Sequence, residues 1–88
     1  MPAAELEYWR STSGFEVDFV LNGKIAIEVK STSRVTDSHL KGLDALREEK
    51  ICTSFILVAN EPERRNFNGI EIIPWREFLK GLWNDRFA

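Results

Sequence analysis

Residues 15–30 read FEVDFVLNGKIAIEVK, two runs that alternate apolar and polar side chains around an Asn22-Gly23 corner. Period-two alternation on both sides of such a corner predicts a half-buried β-hairpin. Burial then chooses the register. Phe15, Val17, Phe19 and Leu21 hold odd positions, as do Ile25, Ile27 and Val29. A two-residue turn at Asn22-Gly23 would pair Leu21 with Lys24 and send the two apolar stripes to opposite faces, because a one-residue slip flips every side chain. Burying both stripes together requires Leu21 opposite Ile25, Phe19 opposite Ile27 and Val17 opposite Val29. That in turn requires a three-residue loop, Asn22-Gly23-Lys24, or a bulge nearby.

The same register sets Asp18 across from Glu28 and Glu16 across from Lys30. Directly opposed like charges destabilise a sheet, and Asp is a poor strand former. Two carboxylates one cross-strand spacing apart do suit a hard divalent cation. Magnesium takes oxygen ligands, keeps several waters, and typically uses one or two carboxylates plus substrate phosphate oxygens. Glu28 and Lys30 are two apart on a strand and share one side of it. The ammonium then stands beside the cation, within reach of a water or a phosphate oxygen, and the Val29 carbonyl between them is a further candidate ligand. The plain alternative is a solvated face, with Glu16–Lys30 as a cross-strand ion pair and Asp18–Glu28 merely tolerated.

Outward from the hairpin, ELEYWRST (5–12) reads as a first strand with Leu6 and Tyr8 in alternation, followed by a Ser13-Gly14 turn. After the hairpin, STSRVTDS breaks the pattern, and Thr36 or Asp37 is a helix N-cap. The helix runs to about residue 49 with Val35, Leu40, Leu43 and Leu46 as its apolar stripe and Lys41, Asp44, Arg47 and Glu48 toward water. TSFILVAN is a continuous apolar run that fits a strand covered on both faces. Strand, helix and buried strand in succession predict a crossover and a parallel pairing. EPERRNFNG reads as a polar loop, IEII as a short strand, and Pro74 as first-turn residue of a last helix with Trp75, Phe78, Leu79 and Leu82 on its inner face. The expected order is β-β-β-α-β-β-α, a mixed sheet with helices packed on it.

Eighty-eight residues make one domain, 1–88. A domain of this size buries only about 60% of the surface its unfolded chain exposes, so pairing with a second copy would add to a thin stability margin. The apolar fraction of 43%, with three Trp and six Phe, argues against disorder. A net charge of −2 lacks the basic excess of a free-standing nucleic-acid binder, though it leaves room for a local basic strip. The single Cys52 can form no internal disulfide, which suits the cytoplasm, and it reads as a small core hydrophobe. The longest apolar run is too short to span a membrane.

Asp18, nine intervening residues, then Glu28-Val29-Lys30 resembles the motif of the PD-(D/E)XK nuclease superfamily, on the expected pair of strands. More narrowly, YWRSTSGFEVDFVLNGKIAIEVK and the closing GIEIIPWREFL are similar to the C-terminal domain of unknown function carried by prokaryotic AAA-type ATPases, a likeness that covers nearly the whole chain. The resemblance implies a restriction-endonuclease-like α/β fold with a central mixed sheet. It also implies magnesium- or manganese-dependent hydrolysis of DNA, with Asp18 and Glu28 as metal ligands, Lys30 as catalytic lysine and Glu16 as an auxiliary acid. Val17 stands where the motif has proline. Only MPAA precedes the first strand, so the superfamily's first helix is missing, as in a minimal version or a fragment of something longer.

Arg10, Ser31, Thr32, Arg34, Lys41 and Arg47 are candidates to line a phosphate-backbone path; taken singly, each is more simply a solubilising charge or a capping residue. Tyr8 and Trp9 suit core or dimer packing better than base stacking. His39 and the Arg64-Arg65 pair read as surface residues, and Trp83 and Phe87 as a self-association patch. The expected partners are DNA, a second copy and an AAA-type ATPase. The alternative to a nuclease is a non-catalytic interaction or oligomerisation domain of the same fold serving such an ATPase.

Overall fold

The computed structural model describes residues 6–10, 14 and 16–83, without the side chains of Leu6, Glu16, Leu82 and Trp83. The chain forms β1 (Leu6–Arg10), β2 (Glu16–Leu21), β3 (Ile25–Val29), a 3₁₀ turn (Asp37–Leu40) leading into α1 (Lys41–Glu48), β4 (Ser54–Ala59), β5 (Arg65–Phe67), β6 (Ile70–Pro74) and α2 (Trp75–Trp83). One six-stranded sheet runs in the order β1-β2-β3-β4-β6-β5. β3 pairs with β4 and β4 with β6 in parallel; the outer pairs are antiparallel. This is an open mixed α/β sheet with two helices.

Alternating burial along the central strands shows why the helices lie where they do. Leu57 and Ala59 of β4 join Ala26, Ile70, Ile72 and the Leu40, Leu43 and Leu46 stripe in one cluster. Ile56 and Val58 join Leu21, Ile27, Ile73 and Phe78 of α2 in the other. Each face of the sheet has its own helix, and a strand covered on both faces reads as the unbroken apolar run seen at 54–59. The expected parallel pairing of β3 and β4 is present, from Ile25↔Ser54 to Val29↔Val58.

The hairpin pairs Leu21 with Ile25 and Phe19 with Ile27 through a three-residue loop, as burial required. Asn22 and Gly23 take positive φ of 53° and 68°, the left-handed region these residues tolerate. The third expected pair fails: Val17 is fully buried on the α1 face, whereas Val29 is 49% exposed. The cause is a bulge. Glu7 pairs with Val20 and Trp9 with Val17, so Asp18 and Phe19 together oppose Tyr8. Beyond that extra residue the parity of β2 reverses, which is why Val17 and Val20 fall in one cluster. Phe19 is left 42% exposed.

Other expectations are corrected as well. Residues 65–67 form a strand rather than part of a loop, joined to β6 by an Asn68-Gly69 turn with both φ positive. Pro74 ends β6, paired with Ala59, and the helix starts after it. Of the expected inner face of α2, Phe78 is buried, while Trp75 and Leu79 are 45% and 52% exposed. In β1 it is Trp9 that packs on the core, and Tyr8 is exposed. Cys52 packs against the α1-side core as a partly buried residue. Phe15, Phe87 and the Trp83 side chain lie outside the described residues. Among the described residues no helix is long and apolar enough to cross a membrane.

These exposures separate two neighbouring residues of α2. Replacing Phe78 with Ala is expected to cost about 3 kcal/mol of unfolding free energy. Leu79→Ala should stay within about 0.5 kcal/mol of the parent. Urea unfolding of the two variants measures both.

Candidate functional site

Of the described polar positions of the hairpin, Glu28 is buried, Asp18 half-buried and the Lys30 side chain 41% exposed. Val20 and Ala26 on the same face are buried beneath α1, and Glu28 beside them is only 4% exposed. Helix α1 packs on this face against β2 and β3, and its first residues, Lys41 and Gly42, reach the end of β3. There a cleft of about 370 Å³ opens, lined by Asp18, Glu28, Val29, Lys30, His39 and Lys41 together with Gly14, Ser38 and Gly42.

Each charged side chain has an identifiable support. Asp18, in the bulge, accepts a hydrogen bond on Oδ2 from the Val29 backbone N–H at 2.9 Å. Glu28 stands on the buried face of β3, and its Oε1 is 4.0 Å from Lys30 Nζ. The Lys30 backbone N–H donates to the Val58 carbonyl at 2.9 Å, which extends the β3/β4 ladder one residue past the strand and fixes the base of the lysine. Lys41 enters from the first turn of α1.

The structure thus brings Asp18, Glu28, Val29, Lys30 and Lys41 to one cleft. Arg10 lies at the end of β1 opposite Glu16, whose side chain is outside the described residues. Ser31 is exposed after β3. The Thr32 hydroxyl donates to the Arg34 carbonyl at 2.9 Å and accepts from the Arg34 N–H at 3.2 Å, closing a local turn. Arg47 does not face water freely: it donates to the Asn68 carbonyl at 2.7 Å and lies over the Phe55 ring, tying α1 to the β5–β6 turn. His39 was expected on the surface; it is half-buried and lines the cleft. Its signal in the sequence is the Thr36-x-x-His39 spacing, a capping-box pattern with His in the place of Glu or Gln.

Arg64 and Arg65, expected as solvated charge, are both engaged. Arg64 pairs with Glu71. Arg65 holds Glu61 through Nε to Oε1 at 2.7 Å and Nη2 to Oε2 at 2.8 Å, and also donates to the Val35 carbonyl at 3.0 Å. Glu61 Oε2 accepts the Val35 N–H at 2.7 Å. This clamp floors a second hollow of about 560 Å³ over Ser33, Arg34 and residues 61–65. The Arg65 hydrogen bonds hold the Glu61 carboxyl at about 2, against the opposing push of burial and with help from the Val35 N–H.

A family model for a domain of unknown function, DUF4143, matches residues 2–78. The chain belongs to the DUF4143 family. No curated protein and no solved structure matches it.

For this DUF4143 domain the donor chemistry of the cleft can be set against a divalent cation. Asp18 and Glu28 supply oxygen donors, the kind and number that magnesium uses when waters and substrate complete its shell. Among the described residues no group of three or more His, Cys, Asp or Glu side chains gathers that could hold a metal ion. The fit is therefore to a cation that relies on water and substrate oxygens, and not to a closed protein cage.

The Glu61 clamp gives a prediction outside the cleft. A carboxyl whose folded pKa lies below its unfolded value stabilises the fold above the unfolded pKa, and that contribution fades as pH falls toward the folded one. The stability of the parent should therefore decline from about pH 4.5 down to about pH 2. At neutral pH, Glu61→Gln should cost about 2 kcal/mol and flatten that acid limb, as followed by denaturation across a pH series.

Proposed function

We propose that the cleft at the end of β3 is the active site of a magnesium- or manganese-dependent nuclease that hydrolyses DNA phosphodiester bonds, on a PD-(D/E)XK-like fold. One observation carries the reading: Asp18, Glu28 and Lys30 line a single cleft, with the glutamate buried beneath α1 and the ammonium 4.0 Å from it. Asp18 and Glu28 are the residues to hold the cation, with the Val29 carbonyl beside them and Glu16 as the assisting acid. A divalent cation held there would make a nearby water more acidic and offset charge on the phosphate.

The remaining work falls to the chain's own groups. Lys30 is anchored at its backbone by Val58 and steadied by Glu28, so its ammonium can orient a water or hold a phosphate oxygen as charge develops on it. Lys41 supplies a second positive charge at the rim, with Arg10, Ser31, Thr32 and Arg34 further along a backbone path. Pairing of two copies would let both strands be cut, and a cytoplasmic setting with an AAA-type ATPase partner completes this reading.

A second reading is a non-catalytic interaction domain serving such an ATPase. It is favoured by the bond from Val29 to Asp18, which gives that carboxylate a purely structural task, and by the exposed Phe19, Trp75 and Leu79.

Calorimetry with magnesium and manganese chlorides separates the two. Asp18→Asn keeps an oxygen to accept the Val29 N–H but removes the charge, so it should fold like the parent and lose cation binding. Lys30→Ala should bind the cation and nick plasmid DNA slower by about a hundredfold or more. A parent that gives no binding heat with either cation rules out the nuclease reading in favour of the interaction domain.

A further inference from the structure

His39 Nδ1 accepts a hydrogen bond from the Thr36 backbone N–H at 2.9 Å, and the His39 N–H returns one to the Thr36 carbonyl at 3.0 Å. A backbone N–H can only donate. Nδ1 therefore presents its lone pair, and the ring proton of the neutral imidazole resides on Nε2. The Thr36 hydroxyl, 3.2 Å from Nδ1 and 3.0 Å from the Ser38 hydroxyl, closes the same side of the ring. A Glu or Gln would serve this capping role as well. What imidazole adds is a second nitrogen, carried on a ring that lines the cleft with Asp18, Glu28, Lys30 and Lys41.

We propose that His39 is a substrate-contacting residue, a neutral Nε2–H donor to a non-bridging phosphate oxygen of the DNA strand in this cleft. The inference rests on the nuclease reading of the same cleft and adds a residue to it. A neutral donor suits the place. An imidazolium would pair with the carboxylates and oppose a cation between them, whereas the tautomer held by Thr36 attracts phosphate without adding charge. Because Thr36 orients the ring beforehand, little ordering remains to be done on binding.

His39 is the only histidine of the chain, so its ring nitrogens give a single set of signals in isotope-labelled protein. Nitrogen NMR of the free protein at neutral pH should show Nδ1 unprotonated and Nε2 protonated, with no substrate needed. A short DNA duplex, added in calcium as a slow-reacting hard cation, should then shift the Nε2 resonance. His39→Asn keeps an oxygen near the Nδ1 position for Thr36 but has nothing at Nε2. It should unfold at the parent's midpoint and bind the duplex about tenfold more weakly. His39→Gln, whose side-chain oxygen can accept the same Thr36 N–H, should also keep the parent's stability while losing the ring Nε2–H. A ring protonated at Nδ1 in the free protein, or an Asn variant that binds as tightly as the parent, overturns the proposal. If the parent still nicks plasmid in that case, the nuclease reading stands without His39. A parent that neither binds the duplex nor nicks plasmid removes both.

Discussion

Everything in this fold follows from β3 and β4 lying side by side, in parallel, with a helix on each face. Such strands have no wet side, so their interiors tolerate almost no polar group. Ile27, Ile56, Leu57 and Val58 meet that demand with at most 3% of their surfaces exposed. Charge becomes tolerable only where the pairing runs out. Glu28 stands one residue before the last β3/β4 pair, still beneath α1, and Lys30, just past the strand, has a side chain 41% exposed. The carboxyl ends of parallel strands are where open α/β sheets leave a crevice for ligands. The cleft of the DUF4143 chain lies there because its charged residues had nowhere else to go.

The bulge in β2 is the second device, and it depends on the first. With β3 fixed by β4, the antiparallel strand beside it must deliver Leu21 to the α2 face and both Val20 and Val17 to the α1 face. No unbroken strand does this, since residues three apart point to opposite sides. One extra residue against Tyr8 resolves the conflict and turns Asp18 out of the regular ladder. Its carboxylate then takes the Val29 N–H, which ties the two strand ends together at the mouth of the cleft.

How far the sequence could be read follows from these devices. The apolar stripes were enough to place the hairpin loop, the parallel crossover and the side shared by Glu28 and Lys30, because each rests on period-two alternation or on an unbroken apolar run. They left the polar face open between a solvated face and a site: an Asp or Glu on an alternating strand is equally at home in water, and nothing local reveals α1 overhead. The same Asn-Gly dipeptide makes a three-residue loop at Asn22 and a two-residue turn at Asn68, the choice being made by the partner strands. The short strand β5 was hidden for a related reason. Its Arg65 and Asn66 are exposed, and only Phe67 carries an apolar signal. The Glu61 clamp joins residues 26 apart along the chain, beyond any local pattern.

Asp18 and Glu61 each accept a backbone N–H group, and their surroundings set them apart. Glu61 is closed on all sides: Val35 takes one direction, the Arg65 fork takes both oxygens, and little capacity remains for anything else. Such a group is spent on structure, as its strongly lowered pKa expresses. Asp18 accepts one N–H on Oδ2 and, among the described residues, has no cation within ion-pair distance. Its other oxygen faces a cleft that also holds Glu28. A cation near Glu61 would have to displace an arginine, whereas Asp18 and Glu28 share their cleft with Lys30 and Lys41. The same kind of backbone bond thus serves two settings: in Glu61 it belongs to a clamp that locks the fold, and in Asp18 it holds a carboxylate at the rim of a cleft.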